Sequence, residues 1–247
     1  MRTRLAITDL TRMQAGRVCI AGYDQHGRCI RPVLPPPGIM EQSLFVNNNL
    51  IIYPFSMVEY DLVRPISKPP HTEDYSYDPT TVRYVKRLDE GERREILNKS
   101  LSKSVEEIFG QPIRTGPGHF VLDGQGSRSL GTIRPNRIIK AIYEQESGGS
   151  IRYRLGFEDD AKDIYWLSVA DLTWRYYCDF QRRKGLPYQK IGNALTGLFL
   201  SNEVYIRIGL ARSWAKYPER CYLQVTGIYS FPDYLEGKLF SDFYIKE

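Results

Sequence analysis

Length, composition and charge set the first limits on this chain. Its 247 residues suit one large or two small domains, long enough to bury cores without disulfides or metals. The formal charge of +5 comes from 34 basic and 29 acidic residues, which excludes a polycationic tail. Any nucleic-acid binding must therefore rest on a local basic patch. The 18 tyrosines, 10 phenylalanines and 3 tryptophans suit strand-rich cores and also stacking on bases.

The cysteine and histidine content argues against a zinc site. Cys19, Cys29, Cys178 and Cys221 form no CxxC pair, and the chain has only three histidines. We therefore expect reduced thiols, with Cys19 and Cys29 in strands and not joined across a hairpin, and no cofactor. Since the sequence shows no N-terminal apolar run and no 18-residue hydrophobic span, we expect a soluble, cytoplasmic protein without a membrane partner.

The first elements in chain order are strands. Apolar alternation at residues 5–10 predicts one strand, and residues 17–23 and 28–33 predict the two arms of an arginine-rich hairpin. The prolines at residues 35–37 end this ladder, because proline has no amide hydrogen to donate. The chain thus opens on three consecutive strands.

The next segment alternates between regular and irregular stretches. Residues 50–66 predict one strand or a pair interrupted at Pro54. Residues 67–81 are rich in proline and polar groups and predict a long loop, and such loops are often functional. Residues 82–88 predict a short strand.

A helix is predicted at residues 89–109. Asp89 can cap its N-terminus and Gly110 can end it, with apolar residues at helical spacing between them. Residues 113–131 are glycine-rich and indicate the zone between two modules. These glycines lack the spacing of a phosphate-binding loop.

The second half is more regular. Residues 133–145, 151–158 and 164–169 predict three strands separated by turn chemistry. A helical region at 171–200, broken by a glycine and a proline, follows them, and Asp171 can cap its N-terminus. The remaining two strands are predicted at 203–214 and 221–230.

This order of three strands, helix and two strands is that of an OB barrel, a five-stranded Greek-key barrel. The first half fits the same template more loosely, with strands near residues 5, 17, 28 and 50, the helix, and a strand near 119. The predicted fold class is therefore mainly β with inserted helices, arranged as two OB-like five-stranded barrels in tandem. We expect the domains to span residues 1–118 and 119–247.

Three regions carry a family resemblance, and they read ITDLTRMQAGRVCIAGYDQHGRCIRPVLPPPG, RPISKPPHTEDY, and RIGLAR followed by CYLQVTGIYSFPDYL. In these the chain resembles the prokaryotic dual OB domain family. The resemblance implies two OB barrels and a nucleic-acid-binding role in the setting of bacterial defence. It implies no catalytic motif.

The candidate binding residues follow from how OB barrels bind oligonucleotides, across their second and third strands. In the first module these strands are the hairpin arms, where arginine suits phosphates or base planes and tyrosine suits stacking. The candidates for contacts with single-stranded or modified DNA or RNA are Arg12, Arg17, Tyr23, Arg28, Arg31, Arg64, Arg152, Arg154 and Arg212. The alternative is that these arginines only solvate exposed strands.

In the second module, alternation places Arg152 and Arg154 on one strand face and Tyr153 on the other. We expect Tyr153 and Trp166 to lie in the barrel core. Two arginines flank the stretch RIGLAR, and we expect Arg212 to reach the binding side.

A second reading is enzymatic and rests on the segment PPHTEDY. His71, Glu73 and Asp74 could hold a divalent metal or act as acid and base in a metal-dependent nuclease or nucleotide-processing enzyme. Three such groups within four residues rarely complete a site, so we favour a protein that binds without catalysis. A third reading is a nucleotide sensor or docking module.

Overall fold

The computed structural model describes residues 1–244 as a mainly β chain. Its strands are, in chain order, β1 (Arg2–Arg12), β2 (Val18–Tyr23), β3 (Cys29–Val33), β4 (Phe45–Val46), β5 (Asn49–Leu50), β6 (Ser56–Pro65), β7 (Asp74–Tyr77), β8 (Arg83–Arg87), β9 (Leu101–Ser102), β10 (Arg114–Thr115), β11 (His119–Leu122), β12 (Leu130–Ile133), β13 (Arg137–Gln145), β14 (Ile151–Glu158), β15 (Ile164–Val169), β16 (Glu203–Leu210) and β17 (Arg220–Phe231).

The α-helices of the described chain are α1 (Glu90–Lys99), α2 (Val105–Phe109), α3 (Leu172–Arg183) and α4 (Tyr188–Ser201). Short 3-10 turns lie at Gln14–Gly16, Glu41–Leu44, Pro79–Thr81 and Phe240–Phe243. Among residues 1–244, no helix has both the length and the apolar character needed to cross a bilayer.

The first barrel is a closed ring of five strands. Its order is β1-β2-β3-β7-β6, and β6 pairs back to β1. Neighbouring strands are antiparallel except β3 and β7, which run parallel. The long strand β1 closes the ring, because residues 2–6 pair with β6 and residues 6–12 pair with β2.

The second barrel repeats this order as β13-β14-β15-β17-β16-β12. Its two ends are consecutive pieces of chain, β12 and β13, separated by residues 134–136, where Pro135 interrupts the strand. The first piece pairs with β16 and the second with β14, as the two halves of β1 do. The predicted fold class, two OB-like five-stranded barrels in tandem with inserted helices, is confirmed.

Helices α3 and α4 connect the third and fourth strands of the second barrel. Asp171 caps α3, as the sequence predicts, by accepting the amide hydrogens of Thr173 at 2.8 Å and Trp174 at 3.2 Å. α4 covers the free edge of β13, where the hydroxyl of Thr196 accepts the amide hydrogen of Ala141 at 2.9 Å.

The first half differs from the predicted template in two places. The fifth strand of the first barrel is β7, which lies inside the segment predicted to be a long loop. The strand predicted near residue 119 exists as β11, but it pairs with β17 of the second barrel. Sequence patterning does not reveal β7, because the strand has only four residues and lies close to several prolines. Its hydrogen bonds come from partners outside its own segment, β3 and β6.

The helix predicted at residues 89–109 is also divided. Asp89 caps α1 as predicted, but the helix ends at Lys99, and β9 then pairs in parallel with β12. A new N-cap, Ser104, starts α2, which ends at Gly110 in the left-handed conformation (φ 61°). Long-range strand pairing therefore overrides a continuous helical pattern.

Each of the two hydrophobic cores contains residues from both halves of the chain. Ile108 and Phe109 of α2 pack in the core of the second barrel. Leu172 of α3 and Phe240 near the C-terminus pack in the core of the first. Segments on both sides of residue 118 therefore contribute to both cores. The predicted domain boundary between residues 118 and 119 stays a prediction.

A buried ion pair joins the two barrels. The guanidinium of Arg207 in β16 lies 2.8 Å from the carboxylate of Asp9 in β1, and the two side chains are 0% and 3% exposed. The other Asp9 oxygen accepts the hydroxyl hydrogen of Thr226 at 2.5 Å. Burial opposes the charge of Arg207, but Asp9, Tyr23 and Cys29 together outweigh the effect of burial and hold the pKa of the guanidinium above its usual value.

We expect Asp9→Ala to lower the free energy of unfolding by about 3–5 kcal/mol, because it leaves the Arg207 charge buried without its carboxylate. Urea denaturation measures this loss. The control is Glu95→Ala, which removes the exposed ion pair with Lys99 and should change stability by less than about 1 kcal/mol. Equal unfolding midpoints for the two variants would contradict the role given to the buried pair.

Candidate nucleic-acid interface

The second and third strands of the first barrel, β2 and β3, face the second barrel. The hydroxyl of Tyr23 accepts a hydrogen bond from Arg207 at 2.6 Å, and the Arg207 guanidinium lies 5.0 Å from the Tyr23 ring centre. Arg31 is 4% exposed and donates to Asp74 at 2.6 Å. Tyr23 and Arg31 therefore lie between the barrels, where Arg207 and Asp74 contact them, and not on an open surface as we expected.

The other first-barrel candidates make separate contacts. Arg12 approaches Asp179 of α3 at 3.7 Å, Arg17 donates to the carbonyl of Gln14, and Arg28 pairs with Asp24 in its own hairpin turn. Arg64 is exposed near the end of β6. The strand pairing brings Arg12 and Arg17 close together, and Arg28 lies in the turn at the other end of β2.

Glu73 ties the first barrel to the chain that enters β12. Its carboxylate is buried and accepts hydrogen bonds from the backbone amides of Ser129 at 2.6 Å and Leu130 at 3.2 Å, and from the Ser129 hydroxyl at 2.9 Å. All three donors belong to the second half of the chain. The carboxylate is thus occupied by structural contacts.

Asp74 makes a second connection of the same kind. It accepts from Arg31 of the first barrel and also forms an ion pair with Arg212, which follows β16 of the second barrel. Within the described residues 1–244, no group of three His, Cys, Asp or Glu side chains is placed to hold a metal ion. The segment PPHTEDY therefore joins the barrels, and it does not gather the ligands that the enzymatic reading requires.

His71 is a buried, neutral side chain in this junction. It is 4% exposed, and neither ring nitrogen has a hydrogen-bond partner among the residues that the structure describes. Burial, followed by the charges of Arg31 and Arg212, lowers the pKa of His71 to about 3. The imidazole is therefore uncharged at neutral pH.

The corresponding strands of the second barrel, β14 and β15, carry an exposed outer face. Tyr165 and Leu167 point into the core, so Trp166 between them points outward and is half-buried. The indole lies on Gly156, where an added Cβ would approach its ring carbons at 2.5–2.7 Å. We expected Trp166 in the core, but the structure places it outside, with one ring face on the sheet.

The two predicted arginines of β14 make different contacts. Arg154 donates to the backbone carbonyl of Trp166 at 2.8 Å, and Arg152 forms ion pairs with the exposed Glu144 and Glu146. The expectation for Tyr153 is confirmed, because its side chain packs against the core and its hydroxyl donates to Asp179 at 2.6 Å.

Strand β17 extends the outer face away from Trp166. Ser168 of β15 and Gln224 of β17 are paired in parallel, so Trp166 and Tyr222, each two residues earlier, lie on the same side of the sheet. The cores on the other side contain Cys221 and Leu223. Tyr222 therefore also lies on the outer side of the barrel, beside β11, which pairs with β17 at this level.

The loop at residues 211–219, between the fourth and fifth barrel strands, adds further rings. Tyr217 lies 6.0 Å from Tyr222 and 5.7 Å from Trp214, measured between ring centres. Trp214 is 54% exposed. The guanidinium of Arg220 lies 4.8 Å from the Tyr217 ring, so cation and aromatic groups alternate here.

Two contacts fix this loop at its start. Arg212 forms the ion pair with Asp74, and the Ser213 hydroxyl donates to Asp123 at 3.1 Å. Arg212 is thus engaged with the first barrel. The ammonium of Lys216 lies 5.5 Å from the centre of the Tyr217 ring. We use the name aromatic face for the outward residues Arg154, Trp166, Trp214, Lys216, Tyr217, Arg220 and Tyr222.

Sequence reasoning missed the aromatic part of this face. Both alternating sets of IYWLSV contain apolar residues, but the set with Trp166 also contains Ser168, which marks it as the solvent side. The loop residues Trp214 and Tyr217 also indicate an exposed binding surface, because large aromatic rings in a polar loop are not expected to be buried in a core.

The buried His71 gives a pH dependence of known sign. Because its pKa is lower in the folded chain than the usual 6.5, the unfolded chain binds more protons below pH 6.5, and stability falls as the pH falls. When the pH falls from 7 to 5, we expect the free energy of unfolding to decrease by about 2 kcal/mol more in the wild type than in His71→Gln. Urea denaturation at both pH values tests this, and equal losses in the two proteins would show that His71 titrates normally.

A family comparison agrees with the architecture. The sequence profile of the dual OB-containing domain matches residues 9–228, a range that runs from β1 to β17 and includes both barrels. No curated protein matches the chain in a sequence search. The chain belongs to the dual OB-containing domain family.

Proposed function

We propose that this protein binds single-stranded nucleic acid, and that the aromatic face of the second barrel is the binding surface. The observation that carries the proposal is the position of Trp166. Its indole lies on Gly156 on the outer side of β14 and β15, the two strands on which OB barrels bind oligonucleotides. The ring face turned away from the sheet is free to stack on a base.

The chemistry of the face suits a single strand more than a duplex. Stacking on an aromatic ring contributes on the order of 1–3 kcal/mol per base and requires an unpaired base. Trp166 and Trp214 offer rings at two places, and Lys216 and Arg220 offer charges for phosphate oxygens. A strand crossing the barrel would meet rings and cations in alternation.

The first barrel has a supporting role in this proposal. Its β2 and β3 strands are covered by the second barrel, and its Asp74 fixes the start of the loop that carries Trp214 and Tyr217. A fixed loop loses less conformational entropy when it binds, so this contact favours affinity. A role in bacterial defence, which the family resemblance implies, stays a prediction.

We expect Trp166→Ala to weaken binding of a fluorescently labelled single strand by about 5- to 150-fold, which corresponds to one lost stacking contact. Fluorescence anisotropy with DNA and RNA strands and with duplexes measures this. Trp166→Phe keeps a ring and should keep most of the affinity. Tyr84→Ala, an exposed tyrosine of β8, is the matched control and should bind like the wild type. Wild-type affinity in Trp166→Ala would contradict the proposal.

The charged residues of the face make a second prediction, in the salt dependence of binding. Replacing Lys216 or Arg220 by glutamine should reduce the slope of log affinity against log salt by about 1 each, because each loses one phosphate contact. Arg28→Gln and Arg64→Gln, on the first barrel, should leave the slope unchanged. The opposite pattern would place the strand on the first barrel.

A further inference from the structure

A second site lies where the two barrels meet the C-terminal segment. A pocket there is lined by Phe55 of the first barrel, by residues 228–231 of β17, by the start of α3 and by residues 233–239. The cavity has a volume of about 40 Å³ and opens to solvent at its mouth. The interior is thus large enough for a compact chemical group of a ligand, and any larger part of the same ligand would stay at the mouth of the pocket.

Three cations line this pocket, namely Arg87, Arg93 and Lys238. Burial lowers the pKa of Arg93, and the charge of Arg87 lowers it further. The ion-pair partner of Arg93 is Asp233 at 3.7 Å, a carboxylate that also accepts the backbone amides of Leu235 at 3.0 Å and Gly237 at 3.1 Å. The guanidiniums of Arg87 and Arg93 therefore repel each other. The Asp233 carboxylate is shared between Arg93 and the backbone amides of the turn that follows it.

Two hydroxyls in the pocket lining are buried without partners. Thr173 is 4% exposed and Tyr234 is 8% exposed, and within residues 1–244 neither hydroxyl oxygen has a hydrogen-bond partner. An unsatisfied buried polar group costs about 1–3 kcal/mol, so native structures rarely keep two together. A bound group with oxygen atoms would satisfy both.

A second acid, besides Asp233, belongs to the same lining. Asp171 accepts the backbone amides of Thr173, Trp174 and Ile228 at 2.8, 3.2 and 3.0 Å. Burial raises the pKa of Asp171 to about 7, so its negative charge is reduced near neutral pH. The remaining charge of the pocket is positive.

We propose that this pocket binds the phosphoryl group of a small ligand, either inorganic phosphate or a nucleoside monophosphate. Arg87, Arg93 and Lys238 supply charge-assisted hydrogen bonds to phosphoryl oxygens, and arginine suits phosphate because its N–H groups form a fixed fork. The hydroxyls of Thr173 and Tyr234 donate to the same oxygens. The rings of Phe55 and Tyr229, 4.4 Å apart, form an aromatic wall for a base.

This site shares no residue with the aromatic face, so the two proposals can fail independently. Arg93→Gln should leave binding of the labelled single strand unchanged, and Trp166→Ala should leave binding of phosphate unchanged.

The test is isothermal titration calorimetry of the full chain with two probes, inorganic phosphate and adenosine monophosphate. We expect saturable binding, at least tenfold weaker in the double variant Arg87→Gln, Arg93→Gln. Arg83→Gln, an exposed arginine of the same strand β8, should bind like the wild type. Equal affinities for the two probes would identify phosphate alone as the ligand, and tighter binding of the monophosphate would show that the aromatic wall holds the base.

Tyr234→Phe provides a second variant that keeps the packing of the ring. Without ligand its thermal midpoint should equal or exceed that of the wild type, because the lost hydroxyl had no partner. Its affinity for both probes should be lower, since it no longer donates to the phosphoryl group. Absence of saturable binding of both probes to the wild type, or unchanged affinities in the arginine variants, would overturn the proposal.

Discussion

The ion pair between Asp9 and Arg207 is the constraint on which the rest of the structure depends. A carboxylate and a guanidinium are stable inside a protein only when their remaining hydrogen-bonding groups are also satisfied. Here Thr8, Thr226, Tyr23 and Thr132 complete the network, with distances of 2.5–2.8 Å. These residues come from both barrels, so the network forms only when the barrels meet in one relative position.

That position determines which OB face is open. Because Arg207 reaches Tyr23 and Asp74 pairs with Arg31 and Arg212, the arginine-rich hairpin of the first barrel becomes part of an interface. The equivalent strands of the second barrel keep an outer surface with Trp166 at its centre. Two similar barrels in one chain thus have different roles, since one provides a platform and the other provides the proposed binding surface.

The sequence predicted local secondary structure better than it predicted which strands pair and which residues meet across the two barrels. Alternation, caps and turns correctly placed β13 to β17 and the cap at Asp171, but β12 begins in the segment predicted to connect the two modules. The strand β7 and the division of the helix at residues 89–109 were missed, because both depend on pairing with distant strands. The same limit applies to Arg31 and Tyr23: their residue types suit nucleic acid, and only the docked second barrel shows that they are covered. Trp166 was misplaced because both sides of its strand contain apolar residues.

Ultraviolet cross-linking of a single strand that contains 5-bromouracil, followed by mass spectrometry of the peptides, tests the central claim most directly. The method reports which protein residues touch the bases of a bound strand. The position of Trp166 on the open face of β14 and β15 predicts adducts at Trp166 and in the loop at residues 211–219. Adducts concentrated in the hairpin at residues 17–33, with none on the second barrel, would contradict it.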